Sequence, residues 1–154
     1  MIETLTVGGE GYCLHSSLRD FDGRTRSLVD RVEAFGSTID ESELIGRDIV
    51  HWDLHRGNIL VNDGSLAAAV DTDFSAVGDA SFDLVALAIS SLTLTCEPGV
   101  RTRLFSSAFD DLDELRAQAY LAHLFIRVID WPARRRQLDE VEFWLARADE
   151  LLKI

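Results

Sequence analysis

Apolar residues recur at helical spacing through most of the chain and give way to short strand-like runs in two stretches. The first stretch is near the start. Leu5 to Val7 and Tyr12 to Leu14 predict short strands on either side of a tight turn at Gly8-Gly9-Glu10-Gly11. Ser16-Ser17-Leu18 begins a helical turn that Asp20 to Gly23 breaks. From Thr25 to Phe35, Leu28, Val29, Val32 and Phe35 repeat at three- and four-residue steps, the spacing of one helix face, with Gly36 as its C-cap. Ser37 to Gly46 is a connector with one helical turn at Glu41 to Ile45.

The second stretch runs from Ile49 to Asp73. Ile59 to Val61 and Leu66 to Val70 flank Asn62-Asp63-Gly64, which is the composition of a β-hairpin. Helices then resume. Asp79-Ala80-Ser81-Phe82-Asp83 opens one, capped by Asp79 or Ser81, whose Leu84, Val85, Leu87, Ala88, Ile89 and Leu92 make it apolar on most faces. Glu97-Pro98-Gly99 ends that segment, and Arg101 to Phe109 is the next helix. A long one starts on the acidic turn Asp111 to Glu114 and runs to about Asp130, where Trp131-Pro132 stops it. Leu138, Val141, Leu145, Ala148 and Leu152 stripe the last helix. The pattern predicts one α+β, mostly helical domain over residues 1–154 with a single small hairpin.

Composition narrows the class. At 47% hydrophobic and 8% aromatic residues the chain is globular rather than disordered. No apolar run approaches the ~20 residues of a membrane span, and Met1-Ile2-Glu3-Thr4 is not a signal peptide. Cys13 and Cys96 form neither a disulfide framework nor a metal spacing and read as reduced thiols of a cytoplasmic protein. Net charge −12 repels phosphate backbones, which argues against nucleic acid as a partner and suits a cationic small molecule. Asp110, Asp111, Asp113 and Glu114 are candidate acidic contacts, although a solvated helix start explains them as well. His15 and His123 read as packing or surface histidines, and Arg134-Arg135-Arg136 as a basic run paired with neighbours such as Asp139 and Glu140.

The chemistry concentrates in His51-Trp52-Asp53-Leu54-His55-Arg56-Gly57-Asn58. Asp53 and Asn58 stand at one end of the hairpin and Asp71 at the end of its second strand, so a folded hairpin draws three oxygen-bearing side chains towards one point. Phosphoryl transfer needs such a set, with an acceptor for the hydroxyl proton and oxygen ligands for magnesium beside the phosphates. The loop resembles that of the aminoglycoside phosphotransferase and choline-kinase-like family, usually His-Gly-Asp-Leu-His-x-Gly-Asn. That family's second motif resembles Asp71, Gly78-Asp79 and Asp83-Leu84 here.

The resemblance implies a protein-kinase-like C-terminal lobe from about Gly11 onward, with ATP and Mg²⁺ as cofactors. It implies Asp53 as the catalytic base, Asn58 and Asp71 as magnesium ligands, and His51, His55 and Asp83 as scaffold of the catalytic loop. Trp52, Arg56 and Thr72 depart from the usual Gly, Pro and aromatic residue, and Asp73 adds a carboxylate. The family's N-terminal lobe, with its phosphate-covering loop and phosphate-gripping lysine, finds no counterpart in these residues, whose only lysine is Lys153. Two functions follow. One is ATP- and magnesium-dependent phosphoryl transfer to a hydroxyl of a small, cationic molecule. The other is a lobe without catalytic activity of its own, a remnant or a binding module that associates with itself or with a partner chain.

Overall fold

The computed structural model describes residues 1–9 and 11–154, and at Pro98 the backbone alone. The elements are α1 (Ile2–Thr6), α2 (His15–Phe21), α3 (Gly23–Gly36), β1 (Asp48–Val50), β2 (Ile59–Asn62), β3 (Ser65–Ala69), β4 (Ala76–Gly78), α4 (Ser81–Ser90), α5 (Pro98–Phe109), α6 (Glu114–Arg134) and α7 (Leu138–Leu151). The protein is mostly helical with small antiparallel sheets. It gathers into two compact units, residues 1–43 with 118–154 and residues 44–117.

The first unit is helical. The start of the chain differs from the expected strands: residues 2–6 form α1, and Tyr12 and Cys13 lie in a bend, with Cys13 in the left-handed region at φ 53°. The Gly8 to Gly11 turn includes residue 10, which lies outside the described residues. Tertiary contacts override the local strand preference here. Leu5 is fully buried, and a Cβ at Gly36 would come within 2.8 Å of its Cβ. Gly36 therefore serves close approach of α1 to α3, where a C-cap was expected. It is the last helical residue, and Ser37 caps the helix. His15 is buried and adds a polar tie, with Nδ1 2.8 Å from Glu33 Oε1 and Nε2 2.9 Å from the Thr4 carbonyl.

The break expected at Asp20 to Gly23 narrows to Asp22. This residue caps α3 by accepting from the Thr25 amide at 2.8 Å, while Thr25 Oγ1 accepts from the Asp22 amide at 3.1 Å. Such reciprocal caps stabilise a helix start by about 1 kcal/mol. α6 runs past Trp131-Pro132, where a stop was expected, and ends at Arg134. Pro132 stands in the final turn, where its missing N–H and its ring oppose the helix locally, and the buried Ile129, Asp130 and Ala133 offset that penalty. Ser17 Oγ donates to Asp130 Oδ1, and Arg134 pairs with Asp130 Oδ2 at 3.1 Å. Burial pushes the Cys13 thiol up to about 12, which keeps it protonated and unreactive.

The second unit carries two antiparallel ribbons followed by α4 and α5. The expected hairpin is β2–β3. Its turn residues Asp63 and Gly64 both have positive φ, 48° and 75°, the signature of the tight turn that Asp-Gly favours. Ala67 is left over in the register, and such a bulge bends the ribbon. The second ribbon, β1 with β4, was not expected: Ile49 faces Val77 and Asp48 faces Gly78. A Cβ at Gly46 would lie 2.2 Å from the Gly78 carbonyl, so this close pass requires glycine. In α4, Phe82, Val85, Ala88 and Ile89 are buried, while Leu84 is exposed at 43%, so its apolar surface is less enclosed than the pattern implied. Among the described residues no helix is long and apolar enough to cross a membrane.

Candidate active site

β1 delivers the chain into the 51–58 loop, and three short polar ties shape that loop. The Asp83 carboxylate, in the first turn of α4, accepts from the amides of His51 at 2.7 Å and Trp52 at 3.1 Å. Hydrogen bonds to a charged acceptor are among the stronger ones in proteins. The His51 ring supplies the second tie. Its Nε2 donates to the Val70 carbonyl at 2.8 Å, and its Nδ1 accepts from the Asp53 amide at 3.3 Å. Both bonds are satisfied by one neutral tautomer, with the proton on Nε2. His55 supplies the third tie. Its Nδ1 accepts from the Gly57 amide at 3.0 Å and caps the short 3₁₀ turn Arg56–Asn58. A Cβ at Gly57 would stand 2.8 Å from the His55 ring, so the cap needs glycine at that position.

The same bonds place the candidate residues. Asn58 is buried, and its Nδ2 donates to the Asp53 carbonyl at 3.0 Å. With Nδ2 committed, the amide oxygen is the atom left for a ligand. The Asn58 carbonyl accepts from the Val70 amide at 2.9 Å. Val70 is therefore held on both its amide and its carbonyl by the loop, and Asp71 is the next residue. Asp71 takes the left-handed conformation, φ 62°, which Asp tolerates, and its side chain is exposed. The Asp53 side chain is 22% exposed, and one of its oxygens lies 3.8 Å from His55 Nε2. Because His55 Nδ1 accepts, Nε2 carries the proton that faces this carboxylate.

Two supports escaped the sequence reading. β4 is only three residues with one large apolar side chain, too short to show a period. Beyond it, Asp79 Oδ1 accepts from the Ser81 amide at 2.9 Å and Oδ2 pairs with Arg116 at 3.3 Å. Asp79 thus ties the start of α4 to the start of α6, a role beyond the expected cap. Among the described residues no group of three His, Cys, Asp or Glu side chains is placed to hold a metal. The trio of Asp53, Asn58 and Asp71 includes an amide and is a hard-oxygen set. Magnesium accepts such sets because it uses only one or two carboxylates and completes its shell with phosphates and water.

The sequence model of the phosphotransferase enzyme family matches residues 47–136, more than half of the chain. The chain belongs to this family. The matched span begins at β1 and includes the loop, both ribbons, α4, α5 and α6. Neither a curated protein nor a solved structure gives a match. Membership in the phosphotransferase family gives the loop a chemical context, that of phosphoryl transfer.

Proposed function

We propose that the protein transfers the terminal phosphoryl group of ATP to a hydroxyl of a small, cationic molecule, with Mg²⁺ as cofactor. The observation that carries the reading is the double tie of Val70 to the loop through the His51 ring and the Asn58 carbonyl. Through it the segment bearing Asp71 is hydrogen-bonded to the loop bearing Asp53 and Asn58. Asp53 accepts the proton of the attacking hydroxyl as its oxygen bonds to the γ-phosphorus and the bond to the bridging oxygen of ADP breaks. Asn58 Oδ1 and Asp71 would hold magnesium, which when bound neutralises charge on the phosphates. His51, His55 and Asp83 keep the loop in shape. The net charge of −12 supports an amine-bearing acceptor of the aminoglycoside or choline kind.

The test is transfer of labelled γ-phosphate to a panel of aminosugars and amino alcohols. Asp53→Asn keeps the shape of the side chain and removes the base, and kcat is expected to fall by about 10²–10⁴-fold. Undiminished turnover in that variant contradicts the assignment. A second reading is favoured by the composition of residues 1–154 themselves, in which Lys153 is the only lysine. In it, residues 1–154 act as a binding module whose phosphate-gripping groups come from a partner chain. Neither ATP binding nor turnover by the isolated protein, with both appearing once a partner chain is added, supports that second reading.

A further inference from the structure

We infer that Trp52 is a positioning residue for the Asp53 base, its ring braced on Phe82 and over the bare Cα of Gly78. The inference rests on the phosphoryl-transfer reading and adds to it a role for a residue that departs from the family's usual glycine. Trp52 has φ 63°, in the left-handed region. A residue with a Cβ occupies that region only against steric opposition from its own carbonyl. Such a conformation persists only where the surroundings over-determine it.

The surroundings do so from three sides. The Trp52 amide donates to Asp83 Oδ1 at 3.1 Å. Its ring centroid lies 4.5 Å from that of the fully buried Phe82, tilted at 45°. Its Cζ2 lies 2.9 Å from where a Cβ at Gly78 would stand, so β4 leaves room for the indole and for nothing more. Glycine at position 52 would adopt this backbone freely but would leave it free to change. The tryptophan holds it through a side chain anchored in α4 and β4.

What it holds is the entry to Asp53. The Asp53 amide is tied to His51 Nδ1 at 3.3 Å, and the Asp53 carbonyl is tied to Asn58 Nδ2 at 3.0 Å. The backbone torsions at Trp52 are the ones immediately before those ties. Rotation there swings the Asp53 carboxylate away from the hydroxyl it must meet. The ring itself is occupied with Phe82 and Gly78, so its task is to aim the neighbouring residue.

The experiment measures kcat and KM for ATP in the wild type, Trp52→Gly, Trp52→Phe, Phe82→Leu and the Trp52→Gly/Phe82→Leu pair. Each rate is normalised to the folded fraction from circular dichroism. Trp52→Gly is expected to lower kcat by about ten- to a hundredfold with KM little changed, as misplacement of a reacting group does. Trp52→Phe restores most of the loss, because a phenyl ring still reaches Phe82. Phe82→Leu lowers kcat when Trp52 is present and has little further effect when it is not. Wild-type kcat in Trp52→Gly, or an equal Phe82→Leu effect in both backgrounds, overturns the positioning role alone. An inactive wild type overturns the phosphoryl-transfer reading, and the inference with it.

Discussion

At the scale of single residues, the site is a set of backbone groups claimed by side chains. His51 is the clearest case, because one neutral ring serves the Val70 carbonyl and the Asp53 amide at once. His51→Leu leaves both groups without that partner, and His51 is only 7% exposed. Orphaned buried polar groups cost about 1–3 kcal/mol each. Chemical denaturation is expected to show a loss of that size in the 44–117 unit, together with faster amide exchange at Asp53. Unchanged exchange at Asp53 would mean that the ring does not hold the loop. The residue types of this motif were legible in the sequence. Their partners were not, because Val70 offers only backbone atoms and backbone atoms leave no trace in residue identity.

Elements were legible in proportion to their length. α3, α6 and α7 have enough turns to show a period, and the Asp-Gly turn between β2 and β3 announces itself by chemistry. α1 and β4 have five and three residues, and contacts elsewhere in the fold decide their state. Pro132 misled for a different reason, since its local penalty is outweighed by the burial of Ile129, Asp130 and Ala133 around it. α6 also makes an element-scale prediction about acid. His123 is buried in it, and burial, then the charges of the chain's N-terminus and Arg127, push its pKa down from 6.5 to about 3. Between those values the unfolded chain binds a proton that the folded chain refuses, so stability falls as pH drops below about 6.5. The limiting slope is about 1.4 kcal/mol per pH unit. Denaturation midpoints measured from pH 7 down to about 5, above most carboxylate titration, should flatten in His123→Leu. An unchanged slope would show that His123 is not held neutral.

At the scale of the whole molecule, the chain gathers into two compact units. Residues 44–117 carry the ribbons, the loop and every candidate site residue, and most of the family match falls there. Residues 1–43 and 118–154 form a helical body with its own buried ties at His15 and Asp130. The motif from His51 to Asp71 was legible in the sequence because its residues lie close together in the chain, on and beside one hairpin. The sequence concealed the division into units, which depends on contacts between distant parts of the chain. In the proposed function Asn58 and Asp71 form the metal-binding end of a phosphoryl-transfer site. Calorimetric titration of ATP with and without Mg²⁺ tests it most directly, in the wild type and in Asp71→Asn. Asparagine tolerates the left-handed backbone at position 71 and removes only the charge. ATP binding is expected to require Mg²⁺ and to weaken at least about tenfold in Asp71→Asn, the equivalent of ~1.4 kcal/mol, with the melting temperature unchanged. Binding indifferent to Mg²⁺, or equally tight in the variant, would contradict that assignment.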